Sequence, residues 1–220
     1  MRRCEDIGVL VMISGIVGNN TQRSLDVNEF RGFAMVDNHA PLIFINGKDF
    51  PNAQHFTIIH ELAHIWIGES GISNNDIGAN QAGQPQIERF CNAVASEVLA
   101  PENELKEKFN DGASFEDNVE VLRKYFNVSG LVIGRRLYDL DLAKWQDYQG
   151  LYEHFSNKAV KSGGSSGGDF YATVRVRNGR SFSEALVRET RAGNVTYRDG
   201  ARLLGVTPSQ IDHCYKEFGA

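Results

Sequence analysis

The chain has 220 residues, 41% of them hydrophobic and 23% charged, as expected for one globular domain or for one domain with a small addition. Its 28 acidic and 23 basic residues give a formal net charge of −5, which argues against a dedicated nucleic-acid-binding protein. The cysteines Cys4, Cys91 and Cys214 form no CxxC pair. We therefore expect neither a disulfide framework nor a zinc knuckle, and we predict a location in the reducing cytoplasm.

The first fifty residues are predicted to form strands and turns. The run GVLVMISGIV (8–17) is rich in β-branched residues and predicts a buried strand. A signal peptide is not expected, because the acidic Glu5 and Asp6 stand where such a peptide is positively charged. RGFAMVD (31–37) and PLIFING (41–47) flank a turn-like segment and predict a hairpin. We interpret PLIFING as a strand that binds extended substrate by edge pairing.

The middle of the chain is predicted to be mostly helical. A first helix begins near Pro51 and ends at Gly68, and a second, QIERFCNAVASEVLA (86–100), ends before a proline. The segment GISNNDIGANQAGQP (71–85) between them is polar and turn-rich and is expected to be exposed. Two amphipathic helices are predicted to follow, over FEDNVEVLRKYFN (115–127) and SGLVIGRRLYDLDL (129–142).

The last sixty residues contain a predicted linker and a small C-terminal region. KSGGSSGGD (161–169) has the composition of a flexible linker, which divides the chain into a main domain (1–160) and a small α/β or helical region (170–220). FYATVRV (170–176) predicts a short strand. The segment 197–218 has the helix–Gly–turn–helix rhythm of a DNA-binding unit. Its second helix has few base-reading side chains, so a helical hairpin that packs or recruits a partner is the favoured interpretation.

His60-Glu61-Leu62-Ala63-His64 has the pattern of a metal-binding helix. Residues four apart on a helix project from one face, so the two imidazoles can bind one metal ion while Glu61 reaches toward a water on that ion. The residues around the motif are apolar on nearly every side of the helix. This predicts burial, and buried ionisable groups need partners or a metal. The pattern alone also fits two otherwise satisfied histidines and a surface glutamate.

A tetrahedral catalytic site needs a third protein ligand and leaves one position for water. The helix over 86–100 offers Glu88 and Glu97, which are nine residues apart and point to roughly opposite sides. Glu88 shares its face with small or polar residues, so it is the predicted third ligand, and Glu97 is expected at the surface. Glu88 could instead only favour the helix dipole. Cys91, one turn further on, is either a packing residue or a ligand.

These residues together resemble the ImmA/IrrE-type metallopeptidases. The two segments that carry the resemblance are FTIIHELAHIWIG (56–68) and, after it, IERFCNAVASEVLAP (87–101). Further similarity lies in EFRGFAMVD–APLIFING (29–47), VSGLVIGRRLYDL (128–140) and the late segments GGDFYATVRVRNGRSFSEALV and TYRDGARLLGV. The resemblance covers nearly the whole chain, and the two motifs in this order are far more specific than the first one alone.

The resemblance implies an α+β fold with a small zincin-like core, in which a short twisted sheet packs on an active-site helix pair, and with a small, mostly helical C-terminal region. It also implies a zinc-dependent endopeptidase of the gluzincin kind. His60, His64 and Glu88 would then be the metal ligands and Glu61 the general base. Zn²⁺ is the expected ion, although two imidazoles and a carboxylate also suit Mn²⁺. Residues 1–160 would form the metallopeptidase domain.

Members of this family typically cut a helix-turn-helix repressor and so release stress, prophage or mobile-element genes. The implied partner is therefore a protein substrate of that kind. Many relatives carry an N-terminal helix-turn-helix domain that would precede residue 29, and this chain begins too late to contain one. We therefore expect no direct nucleic-acid binding. No membrane association is expected either, because no apolar run approaches the ~18–20 residues of a transmembrane helix. The resemblance assigns no oxyanion-stabilising residue, and Tyr138 and Tyr171 are more typical of structural residues.

The alternative function is a non-proteolytic, metal-stabilised regulator, or an antitoxin-like binding partner in a toxin–antitoxin-type operon. Glu61 is dispensable for binding alone, and its presence therefore favours the enzyme. The sequence leaves the oligomeric state open.

Overall fold

The structure is a computed structural model that describes residues 1–73, 85–159 and 169–218. Its strands are β1 (Leu10–Ser14), β2 (Ile16–Val17), β3 (Asn20–Ser24), β4 (Gly32–Met35), β5 (Leu42–Asn46) and β6 (Gly71–Ser73). Its helices are α1 (Arg2–Asp6), α2 (Pro51–Ile67), α3 (Gln86–Leu99), α4 (Glu102–Lys108), α5 (Phe115–Phe126), α6 (Gly130–Asp139), α7 (Trp145–Ala159), α8 (Phe170–Asn178), α9 (Arg180–Arg191), α10 (Tyr197–Leu204) and α11 (Ile211–Phe218). The fold is thus of the predicted α+β class.

The described residues fall into two compact units, each made of separate stretches of chain. The first unit contains those within Met1–Asp49, His64–Ser73 and Ser166–Ala220. The second contains those within Phe50–Ala63 and Asn74–Ser165. The first unit thus holds the strands and the last four helices, and the second holds α3 to α7 and most of α2. The division of the chain at residues 161–169 stays a prediction.

A four-stranded sheet in the order β1-β5-β4-β6 organises the first unit. β1 pairs with β5 in parallel, and β4 pairs antiparallel with both β5 and β6. The predicted hairpin of β4 and β5 is therefore confirmed. The predicted edge role of PLIFING (41–47) is wrong, because β5 lies between two strands and its backbone groups pair on both sides. The order of the strands along the chain did not predict that β5 pairs with β1 as well as with β4.

The run over residues 8–17 forms two strands rather than one. β1 ends at Ser14 and β2 begins at Ile16, so the chain leaves the four-stranded sheet near Gly15. β2 then pairs antiparallel with β3 in a separate two-stranded ribbon.

The two faces of the main sheet differ in burial. On one face Val11, Ile43 and Ile45 are fully buried. On the other face Met12 and Phe33 each lie in register with Phe44, and all three side chains are half-buried. Strand residues alternate between faces, so this register places Met12, Phe44 and Phe33 side by side in one half-buried row.

The C-terminal helices α8 to α11 belong to the same unit as the sheet, and α8 and α9 contact β1. They enclose a small core, which consists of Val174, Leu186, Val187, Ala201, Leu204, Ile211, Cys214 and Phe218. The predicted strand over 170–176 is wrong, because this segment is the first part of α8. The Asp169 carboxylate accepts hydrogen bonds from the backbone N–H groups of Tyr171 and Ala172 and so caps the helix start.

Gly179 joins α8 to α9 at a point where only glycine fits. Its φ is +78° and its ψ is 148°, a region that residues with a Cβ rarely occupy. A Cβ placed there would lie 2.7 Å from the carbonyl oxygen of Val11. The turn between the two helices therefore packs directly against the backbone of β1.

The second unit has its own apolar core, to which α2 to α6 contribute. Its buried members are Phe56, Ala95, Ala100, Leu105, Val119, Leu122, Val128, Val132, Ile133 and Leu137. Arg136, itself buried, donates to the carbonyl of Ala100 at 3.1 Å and pairs with the Glu97 carboxylate. This contact satisfies a carbonyl at the C-terminal end of α3 and fixes that helix to α6.

The helices predicted over 51–67, 86–100, 115–127 and 129–142 are confirmed as α2, α3, α5 and α6, with α6 ending three residues early. The polar segment predicted as exposed falls largely on residues 74–84, and the predicted linker on 161–168; both stretches lie outside the described residues. In the part of the chain that the structure describes, no helix combines the length and apolar character needed to span a membrane.

Candidate metal centre

Helix α2 carries the histidine motif, and its start follows a well-ordered turn after β5. The buried Asn46 side chain donates to the carbonyl of Phe30 and accepts a hydrogen bond from the backbone N–H of Lys48. Asp49 forms an ion pair with Arg31 at 2.9 Å. The helix ends at Gly68, whose φ of +76° allows the chain to turn away.

The buried part of α2 is its middle. His60 and Glu61 have no exposed surface and His64 is 2% exposed. The sequence predicts burial on nearly every side of the helix, but the last turn departs from this, since Trp66 is 66% exposed and Ile67 is 38% exposed. The motif thus lies in a protected environment, where solvent screens the charge of Glu61 weakly.

The imidazole of His60 is held between an aromatic ring and a carboxylate. The ring of Phe56, one helical turn earlier, is stacked at 28° with its centroid 6.4 Å from that of His60. The Nε2 atom of His60 lies 3.2 Å from Oε2 of Glu88 on α3. The structure therefore brings Glu88, the ligand predicted from helix geometry, next to the first histidine of the motif.

Cys91 also belongs to this cluster. One ligand atom from each of His60, His64 and Cys91 lies within 4.8 Å of the other two, and all three residues are buried. Burial, together with the nearby charges of Glu88 and Glu61, raises the pKa of Cys91 to about 12. In the metal-free chain the side chain is thus a neutral thiol at pH 7, and ligation of a metal ion would require its thiolate. The spacing Glu88-x-x-Cys91 is the sequence signal that places both on one face of α3.

A family profile described as the IrrE N-terminal-like domain, a peptidase family, matches residues 4–138. This chain belongs to the IrrE N-terminal-like family. The resemblance seen in the sequence is thereby confirmed at the level of the family, and the IrrE-like chain is a metallopeptidase-family protein with a small zincin-like core. A second profile, a domain of unknown function (DUF8813), matches residues 178–217. Neither the curated proteins nor the solved structures include a significant match to this chain.

Membership of the IrrE-like family implies a bound metal ion, and the donors in the chain fit one. Two ligand atoms that each lie 2.0–2.1 Å from a tetrahedral zinc ion are about 3.3 Å apart. The 3.2 Å between His60 Nε2 and Glu88 Oε2 matches that separation. Imidazole and carboxylate are common zinc donors, and the cysteine offers a softer alternative.

The other residues weighed from sequence lie in structural contacts. Glu97 is paired with Arg136 and accepts a hydrogen bond from the backbone N–H of Glu102, as expected for a surface group. Tyr138 packs against Trp145, and Tyr171 packs against His213. These contacts give both tyrosines a packing role in the IrrE-like chain.

Proposed function

We propose that this chain is a zinc-dependent endopeptidase with His60, His64 and Glu88 as metal ligands and Glu61 as general base. The observation that carries the proposal is the placement of the Glu88 carboxylate 3.2 Å from His60 Nε2, beside a motif whose two histidines and glutamate are buried. Membership of a peptidase family supports the same reaction class.

The buried position of Glu61 suits a group that accepts and returns a proton. When bound, the metal ion would polarise the scissile carbonyl and lower the pKa of a water molecule. The Glu61 carboxylate would take the proton from that water and later deliver it to the leaving amine. His60 is fully buried and its imidazole lies beside the ring of Phe56, with Nε2 directed at the Glu88 carboxylate.

The proposed substrate is a protein, specifically a helix-turn-helix repressor of stress, prophage or mobile-element genes, in the cytoplasm. The support for this is the family resemblance, in which such repressors are the typical targets. Within the sheet, β5 is paired on both sides. An extended substrate would therefore have to pair with an outer strand.

The decisive experiment compares new protein N-termini in host cells that express either the wild-type chain or Glu61→Gln. One or a few new termini that require Glu61, located in a repressor, would support both the activity and the substrate. The variant should retain zinc at the wild-type ratio, because its own side chain is not among the proposed ligands. Loss of activity by about 10²–10⁴-fold is expected when a general base is removed.

The same comparison tests the alternative of a non-proteolytic regulator. If both forms bind one zinc ion per chain and produce identical sets of N-termini, in stressed as well as unstressed cells, the endopeptidase proposal is wrong. A metal-stabilised binding protein would then be the better description.

A further inference from the structure

An open cleft of about 400 Å³ lies within the first unit, between the sheet and the C-terminal helices. It is bounded by β1, by the β2–β3 ribbon and by the ends of α8 and α10. Its walls are tied together, since the Asn19 side chain in the ribbon donates to the carbonyl of Gly205 at 3.1 Å. The volume is in the range of sites that hold a single small molecule. The cleft shares no residue with the proposed metal site.

The sheet side of the cleft is aromatic. The rings of Phe33 and Phe44 are stacked, with centroids 5.0 Å apart and planes at 10°, and Phe30 lies 6.2 Å from each. Met12 extends this surface, because it is in register with Phe44 on the neighbouring strand. All four side chains are half-buried. They form an apolar floor against which an aromatic ring can pack edge to face or offset.

The helix side of the cleft is cationic. Arg177 and Arg202 line it, and its lining contains no aspartate or glutamate, although the whole protein carries a net charge of −5. Arg202 is largely exposed and is 3.5 Å from the carboxylate of Asp199. Arg177 forms no ion pair with any described residue. Arg177 therefore gives the cleft a positive charge that no described carboxylate balances, beside an apolar floor.

The guanidinium of Arg177 is held in place without being neutralised. One of its nitrogens donates to the carbonyl of Leu204 at 3.1 Å, and the neighbouring Asn178 side chain donates to the same oxygen at 3.0 Å. Burial lowers the pKa of Arg177, the direction expected for a cation that has lost water and gained no counter-ion. An arginine fixed in this way retains N–H groups for two parallel hydrogen bonds to a carboxylate.

We propose that this cleft binds a small aromatic carboxylate, with its ring on the floor of Phe33 and Phe44 and its carboxylate at Arg177 and Arg202. The proposal is independent of the peptidase proposal, because it uses other residues and a different chemistry. It gives the C-terminal helices a ligand-binding role in addition to their packing role.

Calorimetric titration of the full chain with 3-phenylpropionate and with indole-3-acetate tests the proposal. We expect at least one of the two acids to bind. 3-Phenylpropan-1-ol, which lacks the carboxylate, and acetate, which lacks the ring, should each bind at least about tenfold more weakly. Arg177→Gln and Arg202→Gln should each weaken binding of the acid by about tenfold or more. Arg198→Gln removes an equal charge from α10 outside the cleft and should bind as the wild type does.

The proposal is overturned if neither acid binds at millimolar concentration, if the alcohol binds as well as the acid, or if Arg198→Gln weakens binding as much as Arg202→Gln. Arg202→Gln keeps the test valid should Arg177→Gln fail to fold, since the Arg202 side chain is exposed and makes no structural hydrogen bond among the described residues. Binding should be unchanged in Glu61→Gln, so the result does not depend on peptidase activity.

Discussion

At the scale of single residues, the central question is which side chain on α3 completes the set of metal ligands. Glu88 and Cys91 lie three residues apart on the same face of the helix, and both are close to His60. The Glu88 carboxylate lies 3.2 Å from His60 Nε2, whereas in the metal-free chain burial raises the pKa of the Cys91 thiol. The distance from the carboxylate to His60 favours Glu88 as the ligand, and the experiment below decides between the two residues.

We predict that Glu88→Gln lowers the affinity for zinc by about 100-fold or more, because loss of a direct ligand should exceed the effect of losing an outer-shell partner. Glu97→Gln is the matched control, since it removes a carboxylate from the same helix at a site paired with Arg136. Competition with a chelator measures both variants. The opposite pattern, normal affinity in Glu88→Gln and a large loss in Cys91→Ser, would assign the cysteine instead.

The three cysteines are free and buried, and burial raises the pKa of each thiol. At pH 8 we therefore expect iodoacetamide to label the native, metal-free protein far more slowly than the denatured protein, in which all three thiols should react. Mass spectrometry measures the extent of labelling. If any one cysteine of the native protein is labelled as fast as in the denatured protein, that cysteine is not buried as the structure shows.

The same pKa shifts determine how the free energy of unfolding changes with pH. In the unfolded chain the thiols lose protons near their ordinary pKa of 9.0, whereas Cys91 in the folded chain stays protonated until about pH 12. The unfolded state thus releases protons first, and the free energy of unfolding should fall as the pH rises from about 9 toward 12. Below pH 9 this contribution is fully present.

Much of the candidate site was predictable from residue spacing. The histidine pair follows from a four-residue interval, and the choice of Glu88 over Glu97 follows from which face of α3 has small, buried neighbours. The membership of Cys91 in the cluster was not decided by spacing, because a small residue on a packed face is equally consistent with simple packing. The exposure of Trp66 was missed because an apolar side chain near a helix end does not reveal where the neighbouring elements stop.

At the scale of elements, the turn between α8 and α9 packs closely against β1 and is sensitive to change. We predict that Gly179→Ala lowers the free energy of unfolding by about 2–4 kcal/mol, since it combines an unfavourable backbone conformation with a clash against the Val11 carbonyl. Gly193→Ala is the matched control. Its φ is +84° but nothing lies within 4 Å of the added Cβ, so it should lose only about 1–2 kcal/mol.

Denaturant unfolding of the two glycine variants gives both values. Equal losses would mean that the clash with Val11 is relieved at little cost, which would contradict the close packing of this turn against β1.

Two elements show why local sequence was insufficient. FYATVRV has the β-branched composition of a strand, but Asp169 caps a helix and Val174 alone is buried there among the helix residues. The sequence of β5 has the alternation of a sheet strand and gives no sign of whether one or both of its sides are paired. Whether β5 is paired on both sides depends on β1, and whether FYATVRV is helical depends on the C-terminal core. Both partners are distant in the sequence.

At the scale of the whole molecule, the predicted α+β class and the family follow from the order of motifs, but the grouping of the chain into compact units does not. The sequence divides the chain at a Gly/Ser-rich segment, whereas contacts place the described C-terminal helices in one unit with the sheet. Composition reports on the local chain only, and it carries no information about which distant elements pack together.

We predict that a chain ending at residue 160 is much less stable than the full chain. It would lose the core of α8 to α11 and two long-range hydrogen bonds, from the backbone N–H of Ser181 to Glu5 and from Asn19 to Gly205. Size-exclusion chromatography and denaturant unfolding measure the effect. The control is the full-length chain cut at a protease site inserted within 161–168, in which both pieces remain present.

If the shortened chain unfolds at the same denaturant concentration as the control, residues 1–160 are an independent domain. The division predicted from the sequence would then be correct.

The pairing of β1 with the C-terminal helices also affects the order in which the protein can form during synthesis. β1 is translated before the helices α8 and α9 that contact it, which follow more than 150 residues later. The first unit cannot complete its core until these helices have been made. Until then the apolar residues of β1 lack the cover that these helices provide, and we expect a nascent chain that ends before residue 170 to be prone to aggregation and to chaperone binding.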